Sequence, residues 1–261
     1  MNSIKIIRYP DREIWDELTS RPQIELKSVE RQVNSILKTV KSRGDSALRE
    51  YTERYDGVYL ADFRVSEREI ESAGGKIDSG LKEAVKLAKD NIEKFHRAQL
   101  HNHPEVETSP GICCRIKDIP IQPVGLYVPG GTAPLISTVL MLGVPAELAG
   151  CGQIALCTPP DRFGNIHPAI LFTANLLGIV EIYRIGGAQA IAAMAYGTES
   201  IPRTDKIFGP GNRYVTLAKQ LVQMQGVAID MPAGPSEVAI IADESADPDF
   251  IAADILSQAE H

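Results

Sequence analysis

The sequence predicts an α/β fold: a doubly wound, mostly parallel sheet inserted in a second α/β domain whose N-terminal half is helical. Three observations carry this. The first hundred or so residues space their apolar side chains at helical intervals. Beyond residue 124, short apolar runs alternate with segments of helix length. Glycine and proline gather after those short runs, where the chain must turn from strand to helix.

In order along the chain, Val29, Val33, Ile36, Leu37 and Val40 fall on one helical stripe that breaks at Gly44-Asp45. A second helix carries Leu48, Tyr51 and Tyr55. Ser66 and Glu69 form a capping-box pattern, and Asp78 can cap a longer helix with Leu81, Val85, Ala88, Ile92 and Phe95 on one stripe. This half reads as amphipathic scaffold. From Gly111 the period becomes two, through Ile112, Cys114 and Ile116, then Ile119 and Ile121, then Val124, Leu126 and Val128, which predicts strands interrupted at Pro120 and Pro123. Helices are then expected over 134–149, 167–177, 188–196 and 212–225, with strands over 154–157, 180–185, 206–208 and 227–229 between and after them. Such a rhythm requires parallel strands joined by covering helices. Gly178 and Gly226 stand where helix C-caps belong. A strand over 237–242 and a helix starting at Asp247-Pro248-Asp249 complete the chain. The expected division is an N-terminal arm (1–27), a first α/β domain (28–123 with 239–261) and an inserted domain (124–238), the last helix packing on the first domain.

Composition narrows the function. A chain of 261 residues with 44% hydrophobic side chains can bury a substantial core. Its formal charge of -7, without a basic stripe, argues against nucleic acid as a partner. The four cysteines show neither CxxC spacing nor scaffold density, which suits the cytoplasm. Neither a signal peptide nor a membrane span is expected.

Chemistry is suggested by where the turns fall. Pro129-Gly130-Gly131, Gly186-Gly187, Gly209-Pro210-Gly211-Asn212 and Pro232-Ala233-Gly234-Pro235-Ser236 all follow predicted strands and should share one rim. In a parallel sheet that carboxyl rim accepts ligands, since glycine lets backbone N–H groups approach a pyrophosphate and helix N-termini favour negative charge. The sheet is thus Rossmann-like but lacks the full GxGxxG fingerprint, and glycine serving tight turns alone explains the pattern equally well. Near the end, Asp254, Gln258 and His261 lie at i, i+4 and i+7 of one helix, either a metal-binding face or the polar edge beside Ile251 and Ile255.

The stretches VGLYVPGGTAPLISTVLMLGVPAELAGC, IGGAQAIAAMAYGTESIPRTDKIFGPGNRYV, IDMPAGPSEVAIIAD and DILSQAEH, with RGDSALREYTERYDG and NIEKFHRAQ before them, resemble the histidinol dehydrogenase family in wording, order and separation. The resemblance implies an NAD-dependent, zinc-containing enzyme that oxidises L-histidinol through histidinal to L-histidine in histidine biosynthesis, acting as a homodimer in the cytoplasm. It places cofactor contacts at Tyr127 of GLYVPGG, Gln189 of GGAQA and Asn212 of GPGN. Ser236 of AGPSE matches a substrate-contacting serine, and Gln258 and His261 of SQAEH match zinc ligands that also hold substrate. The family's catalytic Glu-His pair and its remaining zinc ligands are expected beyond residue 261, so no catalytic residue is assigned here and the polypeptide alone is expected to be inactive. His96, His101 and His103 read as a solvated helix end, and His167 does not match the base. Cys151 and Cys157 would suit a cysteine-dependent aldehyde dehydrogenase, but flank a core strand. A non-catalytic nucleotide-binding or assembly module is the other alternative.

Overall fold

Burying the apolar stripes read above demands a surface that accepts helices on two sides, and the sheet supplies it. A computed structural model describes residues 6–20, 26–101, 103–131, 133–232 and 238–259, with backbone alone for 26–28 and 257–259. Five parallel strands form the sheet: β3 (Val124–Tyr127), β4 (Ile154–Thr158), β5 (Glu181–Arg184), β6 (Lys206–Phe208) and β7 (Ala228–Ile229). Their order across the sheet is β5-β4-β3-β6-β7, so the chain winds outward from β3 to β5, returns beside β3 and winds outward again. Two helices, α6 (Ile136–Leu148) and α7 (Pro168–Leu176), serve the first half, while α8 (Gly187–Tyr196) and α9 (Arg213–Gln223) serve the second. The two halves lie on opposite faces. Leu126, Leu156 and Ile182 point into the core with α6 and α7, whereas Tyr127, Cys157, Tyr183 and Ile207 join the core with α8 and α9. The predicted doubly wound fold is therefore present, and Gly178 and Gly226 end α7 and α9 with positive φ of 69° and 95°.

The N-terminal helices cover this framework. Helix α2 (Leu26–Arg43) packs on α8 and α9, burying Val29, Val33, Ile36, Leu37 and Val40, the stripe read from the sequence. The predicted break occurs at Gly44, whose φ of 51° leads into α3 (Asp45–Asp56). On the other face α4 (Glu67–Ala73) packs on α7, and α5 (Ser79–Arg97) on α6. Both predicted caps form: Asp78 accepts from the Leu81 N–H at 2.8 Å, and Ser66 and Glu69 satisfy each other's backbone N–H groups. Two short elements precede them, a 3₁₀ turn (Arg12–Ile14) and α1 (Trp15–Thr19).

Residues 63–65 protect the edge strand β5. Val65 N–H donates to the Ile182 carbonyl and Arg184 N–H to the Phe63 carbonyl, both at 2.8 Å, so the edge has fewer unpaired groups. Arg184 also forms an ion pair with Glu69. Burial of that carboxyl opposes ionisation, but hydrogen bonds from Arg184 and Ser66 and the guanidinium charge overcome it, holding Glu69 down at about 2. A folded-state value depressed below the ordinary 4.5 contributes stability that is complete above that pH and is lost as pH falls towards 2. Urea midpoints measured between these limits should fall more for the wild type than for Glu69→Gln; parallel curves would remove Glu69 from the acid transition.

Two strand expectations fail. The alternation from Ile112 to Ile121 yields a strand only at β2 (Ile112–Cys114), which pairs with β1 (Val106–Ser109) in an exposed antiparallel hairpin. Residues 115–122 form no ladder, and Ile116 and Ile119 lie exposed. Likewise 238–242 is not a strand, and Ile241 is fully exposed; residue 237 lies outside the described residues. Alternation is necessary for a half-buried strand, but a ladder also needs a partner with unpaired backbone groups, and none of the described residues offers one there. The final helix α10 (Pro248–Ala259) forms as expected.

Candidate functional site

The carboxyl ends of β3 and β6 lie side by side where the winding reverses, and the loops beyond them are locked together by contacts that only glycine permits. A Cβ on Gly130 would lie 2.7 Å from Pro159 Cγ, and one on Gly186 would lie 2.5 Å from Pro159 Cβ. Pro159 thus joins the turns after β3, β4 and β5. Gly209, with φ of 126°, presses its backbone on the end of β3, where a Cβ would lie 2.0 Å from the Tyr127 carbonyl oxygen. Three of the four predicted glycine-proline turns therefore share one rim; the fourth lies mostly outside the described residues.

Tyr127, Gln189 and Asn212, separated by up to 85 positions in sequence, line one cavity of about 440 Å³ on this rim. The Tyr127 hydroxyl accepts the Gly187 N–H at 3.0 Å, tying β3 to the first turn of α8. Burial pushes its acidity down, to a pKa of about 12; the Gly187 hydrogen bond opposes the shift and the nearby Asp56 carboxylate adds to it. The phenol is therefore protonated at neutral pH, with an O–H to donate. Gln189 is 2% exposed, within α8. Asn212 caps α9, its Oδ1 accepting from the N–H groups of Tyr214 and Val215 at 3.0 and 3.2 Å, so its amide N–H₂ is the part left for a ligand. Ser236 and His261 lie outside the described residues, as does the side chain of Gln258, whose backbone belongs to α10. Among the described residues no group of three His, Cys, Asp or Glu side chains could hold a metal.

Sequence reasoning missed part of this site. Gln32, Ile36, Tyr55 and Asp56 line the same cavity from α2 and α3, which read as scaffold. A second cavity of about 720 Å³ lies beyond Gly130, includes Glu69, Lys76 and His167, and shares Asp56 and Pro159 with the first. Under the Gly209 turn, the buried Lys219 donates to the Gly209 carbonyl at 2.7 Å and pairs with Asp230, which accepts the Gly209 N–H at 2.8 Å. Nothing in the local pattern marks Lys219, a cation on an otherwise apolar helix face; its burial alone is the signal.

The other candidates have structural partners. His167 Nδ1 accepts the Ala169 N–H at 3.2 Å as the cap of α7. His103 contacts Asp118 at 3.0 Å, and His96 contacts Gln99 at 3.2 Å, both at the surface. Cys157 is completely buried in β4, and desolvation pushes its thiol far up, against a thiolate nucleophile. Burial also raises the Cys151 thiol.

A doubly wound parallel sheet with glycine turns, a helix N-terminus and a cavity gathered at its switch point defines the class: an open α/β protein with a cavity at the carboxyl rim, the place where such sheets generally bind ligands. The histidinol dehydrogenase family profile matches residues 19–261. The chain belongs to the histidinol dehydrogenase family. A relative of that name from Bacteroides thetaiotaomicron is 57% identical over 258 residues, 99% of this chain and 60% of the relative. One from Aliivibrio fischeri is 55% identical, covering 94% of this chain and 56% of its own length. The crystal structure of histidinol dehydrogenase from Elizabethkingia anophelis is similar with a TM-score of 0.90 and 54% identity, over 97% of this chain and 58% of that one. The chain spans about 60% of the length of these curated relatives.

Proposed function

We propose that this chain supplies the cofactor cradle of an NAD-dependent, zinc-containing dehydrogenase that oxidises L-histidinol through histidinal to L-histidine. The observation that carries this is the convergence of Tyr127, Gln189 and Asn212 on one cavity at the switch point. Family membership supports the reaction. NAD, when bound, accepts the hydride removed from the substrate carbon. The chain's own part is to bind and orient: the N-terminus of α8 offers backbone N–H groups for a pyrophosphate, Tyr127 an O–H, and the Gln189 and Asn212 amides further donors. The cradle fits a nucleotide because its lining sets these donors beside the aromatic surface of Tyr55 and Tyr214, while Gly130 and Gly186 let the turns that frame it pack on Pro159.

We further propose Ser236 as a substrate contact, Gln258 and His261 as zinc ligands that also hold substrate, and 124–238 as the cofactor-binding domain, with 28–123 and 239–261 contributing to the other. A homodimer accords with apolar side chains exposed on α5 and α10, among them Phe95, Phe250 and Leu256. A cytoplasmic location accords with unpaired cysteines.

Calorimetric titration of the 261-residue chain tests the cradle. Saturable NAD binding is expected at millimolar concentrations or below, weakened about tenfold by Gln189→Ala, a loss of the size of one or two hydrogen bonds. A chain with native circular dichroism and no saturable binding would remove the cofactor assignment.

A further inference from the structure

We propose that Asp56 receives the ribose hydroxyls of the adenosine half of the dinucleotide and so makes the cavity select NAD over its 2′-phosphorylated relative. This rests on the cavity being an NAD cradle. Asp56 is the last residue of α3, which Gly57 terminates in the left-handed region with φ of 70°. It lines the same cavity as Tyr127 and Asn212.

Its carboxylate is not accounted for by folding. Oδ2 is buried without a hydrogen-bond donor among the described residues. Thr52 Oγ1 and Arg184 Nε share that condition, but neither residue lines either cavity described above. Burial without a partner is unfavourable for a carboxylate and raises its pKa to about 6, so at neutral pH it is still mainly ionised. The position is also a poor one for the helix, since an acidic group at a helix C-terminus meets the negative end of the dipole. A group retained against both penalties is explained by a ligand that donates to it.

The surroundings define that ligand. An ionised carboxylate only accepts hydrogen bonds, so the ligand must present donors. A ribose diol presents two adjacent O–H groups; a 2′-phosphate presents oxygens and negative charge instead. No Lys or Arg is among the described residues lining this cavity, Lys76 belonging to the adjoining one that Asp56 also borders, so a 2′-phosphate in this cavity would meet the carboxylate without a cation of the same cavity to compensate it. Beside Asp56, the Tyr55 ring stacks on Tyr51 with centroids 5.8 Å apart, and its hydroxyl accepts from Gln32 at 3.1 Å. With Ile36 and Tyr214 it provides flat apolar surface for a purine next to the carboxylate.

The test titrates the 261-residue chain with NAD, NADP and 2′-deoxyadenosine NAD, following tyrosine fluorescence or heat. The wild type should bind NAD at least about tenfold more tightly than either analogue, the scale of one charge-assisted hydrogen bond. Asp56→Asn should weaken NAD by about tenfold and bring the NAD-to-NADP ratio close to one. The ligand-free Asp56→Asn protein should melt at the wild-type temperature or above it, because a neutral amide is buried at lower cost; a purely structural carboxylate would give a lower value. An unchanged NAD-to-NADP ratio in Asp56→Asn overturns the proposal, as does equal loss of both dinucleotides. Should that variant fail to fold, equal affinity of the wild type for NAD and its 2′-deoxy analogue overturns it independently. Binding of NAD with no such discrimination leaves the cradle standing and removes only Asp56's role, whereas absence of any dinucleotide binding removes both.

Discussion

Asp230→Ala should lower stability to urea by about 3–5 kcal/mol, the cost typical of breaking a buried ion pair from one side. The Lys219 side chain is 5% exposed and has two partners, Asp230 and the Gly209 carbonyl. Without Asp230 its charge stays buried beside a single carbonyl, and the Gly209 N–H loses its acceptor as well. Asp230→Asn keeps an oxygen for that N–H and should lose less. The double variant Lys219→Met with Asp230→Leu removes both charges together and should recover most of the loss, since apolar replacement of a whole buried pair is often neutral. A loss below about 1 kcal/mol in Asp230→Ala would put the pair in the range of exposed ion pairs and show that water reaches it.

A comparable loss, roughly 2–6 kcal/mol, is expected for Gly209→Ala, from an unfavourable backbone region combined with overpacking. Its φ is 126°, and the new methyl would stand 2.0 Å from the Tyr127 carbonyl. That carbonyl cannot retreat easily, because β3 is the central strand, paired with β4 on one side and β6 on the other. Gly226→Ala is the control: its φ is also positive, at 95°, but its Cβ would meet nothing within 4 Å. Thermal melts of the two variants separate clash from backbone strain. Equal melting temperatures would mean that the turn can lift off the strand.

Both experiments probe contacts absent from any local pattern, and the same holds for the cavity. Tyr127, Gln189 and Asn212 were identified by resemblance, and their turns by glycine and proline after apolar runs. Asp56 and Tyr55 were not, because a helix end followed by glycine looks the same whether it faces solvent or a cavity. The signal available was an acidic residue at a helix C-terminus, weak by itself. Gln32 and Ile36 lie on a helix whose apolar stripe is fully explained by packing on α8 and α9, so their second role left no trace.

What the sequence by itself determined is the set of elements that satisfy themselves locally. Helices α2 to α9 follow from apolar spacing, from caps at Ser66 and Asp78, and from stops at Gly178 and Gly226, because a helix closes its hydrogen bonds within its own segment. The parallel strands were legible for a related reason: buried on both faces, they read as short apolar runs between helices. Only the tertiary structure decided which alternating segments became strands, since 115–122 and 238–242 carry the alternation without a partner to pair with. It also decided that β3 and β6 are neighbours, across 78 positions, and therefore where the rim opens. A strand's partner, a buried lysine's counter-charge and a cavity's far wall each come from elsewhere in the chain, and the physical interactions that choose them exist only after the layers have packed.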